Sequence, residues 1–228
     1  MKRLWLITGL GGLLLAVPAQ ADITVGDYTY DGTVGIGLRP AGYGTGPGGA
    51  FQITTGAGLE TVVGSSFLSF CIERNEYINL PGNYYGNVNS AAVEGGVGPA
   101  GDPISLATAY LYAEFRRGTL SGYTYGSNES ANELQDAFWY LEGEGGVKNS
   151  FVTTARDALH LTDTTVLTTD ANGEYGVVVL NLYDAAHNLH QDQLALAVPE
   201  PSTVMAGLLL LLPLGVSTVR ILRRNKAA

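Results

Sequence analysis

The sequence predicts an α+β fold for one β-rich domain with an inserted three-helix segment. Short runs rich in β-branched and aromatic residues, separated by Gly, Pro and Asn, dominate the first part of the domain. Three segments with apolar residues at helical spacing follow, and a Val-Val-Val-Leu run then returns to strand character. Because strands and helices are segregated along the chain rather than alternating, the pattern favours α+β over α/β.

The predicted strands are short and are bounded by turn residues. Residues 23–30 alternate apolar and polar side chains and are followed by Asp31-Gly32, a turn pair, which predicts a hairpin. The other predicted strand segments, in chain order, are 51–55, 66–73, 77–88 with a turn at Pro81-Gly82, 174–183 and 193–198.

The three predicted helices span residues 104–117, 130–142 and 151–161. Gly118 directly follows the first segment and favours termination there, since glycine readily adopts the left-handed conformation of a helix C-cap. Ser130 followed by Glu133 has the spacing of a capping box, which predicts that Ser130 is the N-cap of the second helix.

Residues 1–21 have the three parts of a secretory signal peptide. Two basic residues precede an apolar run, and Ala19 and Ala21 give the small-x-small form of a cleavage site. The segment predicts export, and cleavage after Ala21 would leave Asp22 as the new N-terminus of an extracytoplasmic domain at residues 22–198.

A second apolar run, at residues 204–222, is long enough to cross a bilayer when flanking arginines reach the interface. Arg220, Arg223 and Arg224 belong to a basic tail at residues 220–226. Positively charged flanks stay in the cytoplasm, so the run predicts a transmembrane helix with its tail inside and the preceding domain outside.

A short proline motif, Pro199, Glu200 and Pro201, immediately precedes this run. The order of motif, spanning segment and arginine cluster over residues 199–228 resembles the PEP-CTERM sorting signal of Gram-negative bacteria. The resemblance implies recognition by a membrane-embedded exosortase, which is thought to cut near the motif. It implies an inner-membrane-anchored precursor with its domain in the periplasm, and then a place at the cell surface or in an exopolysaccharide-rich biofilm matrix.

The domain between the two apolar ends is strongly acidic. Of the 21 acidic residues in the chain, 20 lie within residues 22–198 against six basic residues, which gives a net charge of −14. Such a surface repels phosphate backbones and anionic lipids, so it argues against nucleic acid as a partner.

The single cysteine, Cys71, is unusual for an exported protein, in which cysteines generally pair. It lies in an aromatic-Cys-Ile strand segment, and Gln135 follows later in a Gln-x-Ala-aromatic-Trp helix that includes Ala137 and Trp139. This combination resembles the thioester domains of bacterial surface adhesins.

The resemblance covers residues 67–142, with Leu134 and Phe138 where the family has threonine and isoleucine. It implies an internal thioester between the Cys71 sulfur and the Gln135 side-chain carbon, formed as ammonia leaves. An amine on a surface ligand, such as a lysine, would then displace the sulfur and stay attached to Gln135. The chemistry needs no cofactor and no metal, and it predicts a covalent adhesin rather than an enzyme.

Other interpretations stay open from the sequence. Cys71 and Gln135 also suit simple core packing, because free cysteine is commonly buried. The protein would then be a non-covalent structural or exopolysaccharide-binding matrix protein, and its clustered tyrosines suit either packing or stacking on sugars. Two further alternatives concern the thiol itself. A lone cysteine in an exported protein also suits an intermolecular disulfide, and a cysteine-dependent enzyme is the other alternative. Glu73 and Asp136, beside the two partners in sequence, are expected to be solvated rather than catalytic.

The histidines give only a weak metal-site pattern. His187 and His190 are three residues apart, with Asp184 and Asp192 nearby, and share one face if the segment is helical. No third strong ligand has the spacing of a zinc site, so an exposed polar loop is the preferred interpretation.

Overall fold

A computed structural model describes residues 32–56, 58–93 and 102–198 of the chain. The predicted signal peptide, the predicted strand at 23–30 and the sorting signal at 199–228 lie outside these ranges. Within them, the longest helix has 14 residues, and no helix is both long and apolar enough to cross a bilayer.

The described residues form a mixed α+β fold, as the sequence predicts, with a curled antiparallel sheet and few helices. The strands are β1 (Gly32–Ile36), β2 (Phe51–Thr55), β3 (Ser66–Ser69), β4 (Gly82–Asn89), β5 (Ala91–Ala92), β6 (Asp102–Pro103), β7 (Val177–Tyr183) and β8 (Leu189–Leu196). The α-helices are α1 (Leu59–Val63), α2 (Leu106–Arg117), α3 (Asn128–Leu141) and α4 (Ser150–Ala158). The three longer helices lie consecutively between β6 and β7, where the insertion is predicted.

Six strands form one antiparallel sheet in the order β3-β2-β1-β4-β7-β8. The sheet curls until its two edges meet, because the chain just beyond β3 pairs with β8. We call this pairing the closing contact. It consists of Cys71 opposite Gln193, the Ile72 N–H donating to the Asp192 carbonyl at 3.1 Å, and the Leu194 N–H donating to the Phe70 carbonyl at 3.1 Å.

The curl divides the interior into two apolar cores. One is enclosed by the sheet and includes Phe51 and Leu180, and the other lies between sheet and helices and includes Phe138 and Val179. Neighbouring residues of β7 therefore face different cores, and all seven residues of this strand are buried. This explains why the first four residues of β7, Val177 to Leu180, form a continuous apolar run rather than an alternating one.

The strand predictions that fall within the described residues are confirmed in position, and several of their boundaries need correction. β7 begins at Val177 rather than at residue 174, and β8 spans Leu189–Leu196 rather than residues 193–198. β3 ends at Ser69 rather than at residue 73, because the chain leaves β2 there and turns to β8. β4 begins at Gly82 rather than at residue 77, since Pro81 has no N–H to donate to a strand ladder.

The helix predictions are also confirmed in position, but the predicted cap of α3 is wrong. The N-cap is Ser127, whose hydroxyl accepts from the Ser130 N–H at 3.3 Å. Ser130 lies inside the helix, and its own hydroxyl accepts from the Thr124 N–H at 3.2 Å. α2 ends at Gly118 as predicted, with a left-handed φ of 77°.

Ser127→Ala should lower the free energy of unfolding by about 1 kcal/mol, because the Ser130 N–H loses its acceptor at the helix N-terminus. Urea unfolding measures this change. Ser127→Asp keeps an acceptor at the cap and is the matched control, with stability close to that of the unaltered protein. An alanine variant as stable as the aspartate variant would contradict the capping role of Ser127.

Candidate functional site

Cys71 lies within the closing contact. Its neighbours Phe70 and Ile72 face the core between sheet and helices, and Cys71 faces the core enclosed by the sheet, where it is fully buried. Because the flanking hydrogen bonds belong to residues 70 and 72, Cys71 and Gln193 form a non-hydrogen-bonded pair. Facing side chains approach closely in such pairs.

This arrangement turns the main-chain N–H and C=O of Cys71 away from β8, and the carboxamide of Gln135 binds both. Gln135 Oε1 accepts from the Cys71 N–H at 3.1 Å, and Gln135 Nε2 donates to the Cys71 carbonyl at 2.8 Å. Gln135 extends from α3 and is fully buried. The fold therefore brings the two residues together across 64 positions of sequence and holds the Gln135 side-chain carbon against Cys71.

A second buried carboxamide contacts the sulfur itself. Gln193 Nε2 lies 3.5 Å from Cys71 Sγ and 3.4 Å from the Gln191 carbonyl oxygen. A carbonyl can only accept, so Gln191 fixes the orientation with the amide nitrogen toward the sulfur. Gln193 Oε1 is buried and has no hydrogen-bond partner among the described residues. Strand alternation alone would have placed Gln193 on the inner face of β8, but no sequence pattern pairs it with Cys71.

Aromatic side chains surround the pair. Phe70 packs edge-on against Phe138, with ring centroids 5.2 Å apart. Trp139, one turn after the glutamine on α3, is buried in the core enclosed by the sheet, and its Nε1–H donates to the Glu73 carbonyl at 3.2 Å. Ala137 is buried in the other core. The helix that carries the glutamine is therefore anchored in both cores, and the carboxamide lies among apolar groups.

A glycine-rich loop, residues 42–49, covers Gln135. A Cβ on Gly48 would stand only 2.6 Å from Gln135 Cγ, so glycine lets the loop backbone lie directly on this side chain. The loop is fastened to α3 by two reciprocal hydrogen bonds. The Thr45 N–H donates to Asn132 Oδ1 at 2.9 Å, and Asn132 Nδ2 donates to the Thr45 hydroxyl at 3.0 Å.

Two carboxyl groups are buried beside the site, and one of them corrects a prediction. Glu73, expected to be solvated, is fully buried; its Oε2 accepts from the Asp192 N–H at 3.2 Å, and its Oε1 has no partner among the described residues. The Asp192 carboxylate accepts from the Val93 N–H, the Asn181 amide and the Leu182 N–H, at 2.8, 2.7 and 3.2 Å. The two carboxyl groups differ in protonation. Burial, and then the charge of Asp192, raise the pKa of Glu73 to about 9. Burial also raises the pKa of Asp192, but its three donors make it the member of the pair that carries the charge.

The thiol of Cys71 is difficult to ionise. Burial raises its pKa to about 12, against a smaller lowering by the hydrogen bond from Gln193. Nucleophilic cysteines of enzymes generally have a lowered pKa and a partly exposed thiolate, and Cys71 has neither. The two carboxamides at this residue are that of Gln135, bonded to the Cys71 main chain, and that of Gln193, whose nitrogen lies 3.5 Å from the sulfur.

His187 and His190 do not lie on one face of a helix, so the arrangement considered from the sequence for a metal site does not form. His187 lies in the turn before β8 and stacks on Tyr183 with centroids 5.7 Å apart, and His190 lies within β8 against Tyr84. In the part of the chain that the structure describes, no group of three or more His, Cys, Asp or Glu side chains is arranged to hold a metal ion. Asp136, beside Gln135 in sequence, is partly exposed.

The buried Glu73 should make the stability of the protein depend on pH. Its pKa is higher in the folded protein than the ordinary 4.5, so the folded state binds this proton more tightly than the unfolded state. The resulting stabilisation is complete below about pH 4.5 and is lost as the pH rises toward about 9. Glu73→Gln keeps the size of the side chain but removes its ionisable group. The free energy of unfolding of this variant, measured with urea relative to the unaltered protein, should therefore rise between about pH 5 and about pH 8.

Glu133→Gln is the matched control, since Glu133 lies on the exposed face of α3. It should leave the pH profile of unfolding unchanged. A Glu73→Gln profile that runs parallel to that of the unaltered protein would contradict a buried, protonated Glu73.

Comparison with known proteins gives this chain no counterpart. No family model matches it, and neither a curated protein nor a solved structure is significantly similar to it. The chemistry of the site therefore rests on the residues themselves: a buried thiol, two buried carboxamides and a pair of buried carboxyl groups.

Proposed function

We propose that this protein is an exported surface protein that attaches covalently to an amine-bearing ligand through an internal thioester between Cys71 and Gln135. The observation that carries the proposal is the pair of hydrogen bonds, 3.1 and 2.8 Å long, between the Gln135 carboxamide and the Cys71 main chain. These bonds hold the electrophilic carbon beside the thiol residue, inside an apolar site, before any covalent bond exists.

Thioester formation needs no group from outside the chain. Cys71 Sγ attacks Gln135 Cδ; the Sγ–Cδ bond forms, the Cδ–Nε2 bond breaks, and the thiol proton leaves with the nitrogen as ammonia. Because the thiol pKa is about 12, close positioning has to compensate for the low thiolate population. Gln193 Nε2, 3.5 Å from the sulfur, favours the negative charge that develops there.

The thioester then reacts once with a primary amine. The amine nitrogen attacks Gln135 Cδ, the Cδ–Sγ bond breaks, and one amine proton passes to the sulfur, which leaves a stable amide. The rings of Phe70 and Phe138 limit hydrolysis by keeping the surroundings apolar. The glycine-rich loop 42–49 lies directly on Gln135, so we infer that the ligand enters on this side.

The proposal includes export and sorting. The signal peptide at 1–21, the motif Pro199-Glu200-Pro201 and the apolar run with its arginine cluster support an inner-membrane-anchored precursor that an exosortase processes. Val198, the residue before the motif, is 43% exposed, which suits access by a processing enzyme.

The intact mass of the full-length chain, purified without reductant, tests the thioester. We expect a mass lower by one ammonia than the sequence requires, because Gln135 loses its nitrogen as the thioester forms. Cys71→Ala and Gln135→Ala should each restore the full mass. Methylamine should add its own mass once and release one titratable thiol.

Gln193→Ala is the matched control, since it alters the other buried carboxamide at Cys71. It should retain the mass deficit, although the thioester forms more slowly. Loss of the deficit in Gln193→Ala but not in Gln135→Ala would assign the acyl group to Gln193. A full mass in the unaltered protein, with an intact thiol at Cys71, would contradict the proposal.

Changing both prolines of the sorting motif, Pro199→Ala with Pro201→Ala, should keep the protein in the inner-membrane fraction of cells that contain an exosortase. The reason is that the extended recognition segment is lost while the spanning segment remains. Cell fractionation with immunoblotting measures the distribution. Ser202→Ala, just outside the motif, should be sorted normally, and equal release of all variants would contradict exosortase processing.

A further inference from the structure

The outer face of the sheet carries a groove across β1, β2 and β4, on the side opposite the core. It has a volume of about 490 Å³. Its floor is Gly35, which lies between Thr54 on β2 and Asn83 on β4 in the registers of the two strand pairs. A Cβ on Gly35 would stand 2.6 Å from Thr54 Oγ1 and 3.7 Å from Asn83 Oδ1, so the missing side chain creates the depression.

One wall of the groove is an aromatic ring. Tyr85 lies opposite Thr33 of β1 on one side and opposite Tyr183 of β7 on the other. Tyr183 stacks on Tyr85 at 5.8 Å between centroids and 21° between planes, and His187 stacks on Tyr183 at 5.7 Å and 16°. The column fixes the orientation of Tyr85, and because Tyr183 covers one face, the other face is directed toward the groove. Tyr85 is 40% exposed.

Among the residues that the structure describes, those lining the groove include hydrogen-bonding side chains and none that is charged. Its polar lining consists of threonine hydroxyls and the Asn83 carboxamide, and Thr33, Thr54 and Asn83 are all exposed. These groups both donate and accept, as sugar hydroxyls do. The main-chain groups of β1 are bonded to β2 and β4, so an extended peptide cannot bind here by adding a strand.

We propose that this groove binds a neutral polysaccharide, with the C–H face of a sugar ring on Tyr85 and its hydroxyls bonded to Thr33, Thr54 and Asn83. The electron-rich face of tyrosine attracts C–H groups. The described lining residues are uncharged and the domain has a net charge of −14, which together favour a neutral glycan over an anionic one. This binding is reversible and does not depend on the proposed thioester, since Cys71 faces the core enclosed by the sheet.

Isothermal titration calorimetry of the full-length chain with cellohexaose and maltohexaose tests the proposal. We expect binding of at least one of these neutral oligosaccharides, with an affinity that changes little with salt. Tyr85→Ala should weaken binding about tenfold, and Tyr85→Phe should retain it because the ring remains. Tyr77→Ala is the matched control, since Tyr77 is 78% exposed and lies outside the groove.

Thermal unfolding establishes that each variant is folded. If Tyr85→Ala does not fold, Asn83→Ala and Gly35→Val replace it, and both should weaken binding. No heat from either neutral oligosaccharide would overturn the proposal, as would binding that all groove variants leave unchanged. Two further results would also overturn the proposal, because each assigns the groove to another ligand. One is tighter binding of the anionic hexagalacturonate than of the neutral oligosaccharides. The other is binding of a proline-rich decapeptide that depends on Tyr85, without binding of any glycan.

Discussion

The closing contact between the chain beyond β3 and β8 determines where every group of the Cys71 site lies. It sets Cys71 opposite Gln193, turns the main-chain polar groups of the cysteine toward α3, and brings Asp192 to Glu73. The side-chain period of a strand is two, so a register slip of one residue would place Cys71 among the helices and Phe70 inside the sheet. The two apolar cores hold this register, since each accepts only its own set of side chains.

Unmet hydrogen-bonding capacity is concentrated at the same place. Four buried side-chain polar atoms have no partner among the described residues, and two of them belong to Glu73, two residues after Cys71, and to Gln193, opposite Cys71. Such atoms cost free energy, so each calls for a structural or functional explanation. The protonated Glu73 and the orientation of Gln193 are consistent with a site prepared for one reaction rather than with apolar core packing alone.

The sheet has different chemistry on its two faces. Its inner face carries the Cys71 thiol and the Gln193 carboxamide, beside Gln135 of α3, and its outer face carries the groove beside Tyr85, which is lined by uncharged residues within the described ranges. Strand alternation makes this possible, because adjacent residues of one strand serve opposite faces. Reversible binding to a glycan on the outer face would hold the protein in a matrix and raise the effective concentration of nearby amines at the covalent site.

The sequence by itself determined the α+β class, the positions of the three longer helices and of the main strands, and the candidate pair Cys71 and Gln135, because hydrophobic period and local residue patterns carry this information. It did not reveal α1, β5 or β6, which are too short to show a period. The expected export and sorting also come from the sequence alone, since the residues involved lie outside the described ranges. Only the tertiary structure decided the cap at Ser127, the burial of Glu73 and the place of Gln193 at the sulfur. The cap is a local bond, but two serines, Ser127 and Ser130, could each have supplied it. The other two features depend on contacts between segments more than a hundred residues apart, such as residues 71 and 193, and no local pattern specifies which strands meet when a sheet closes.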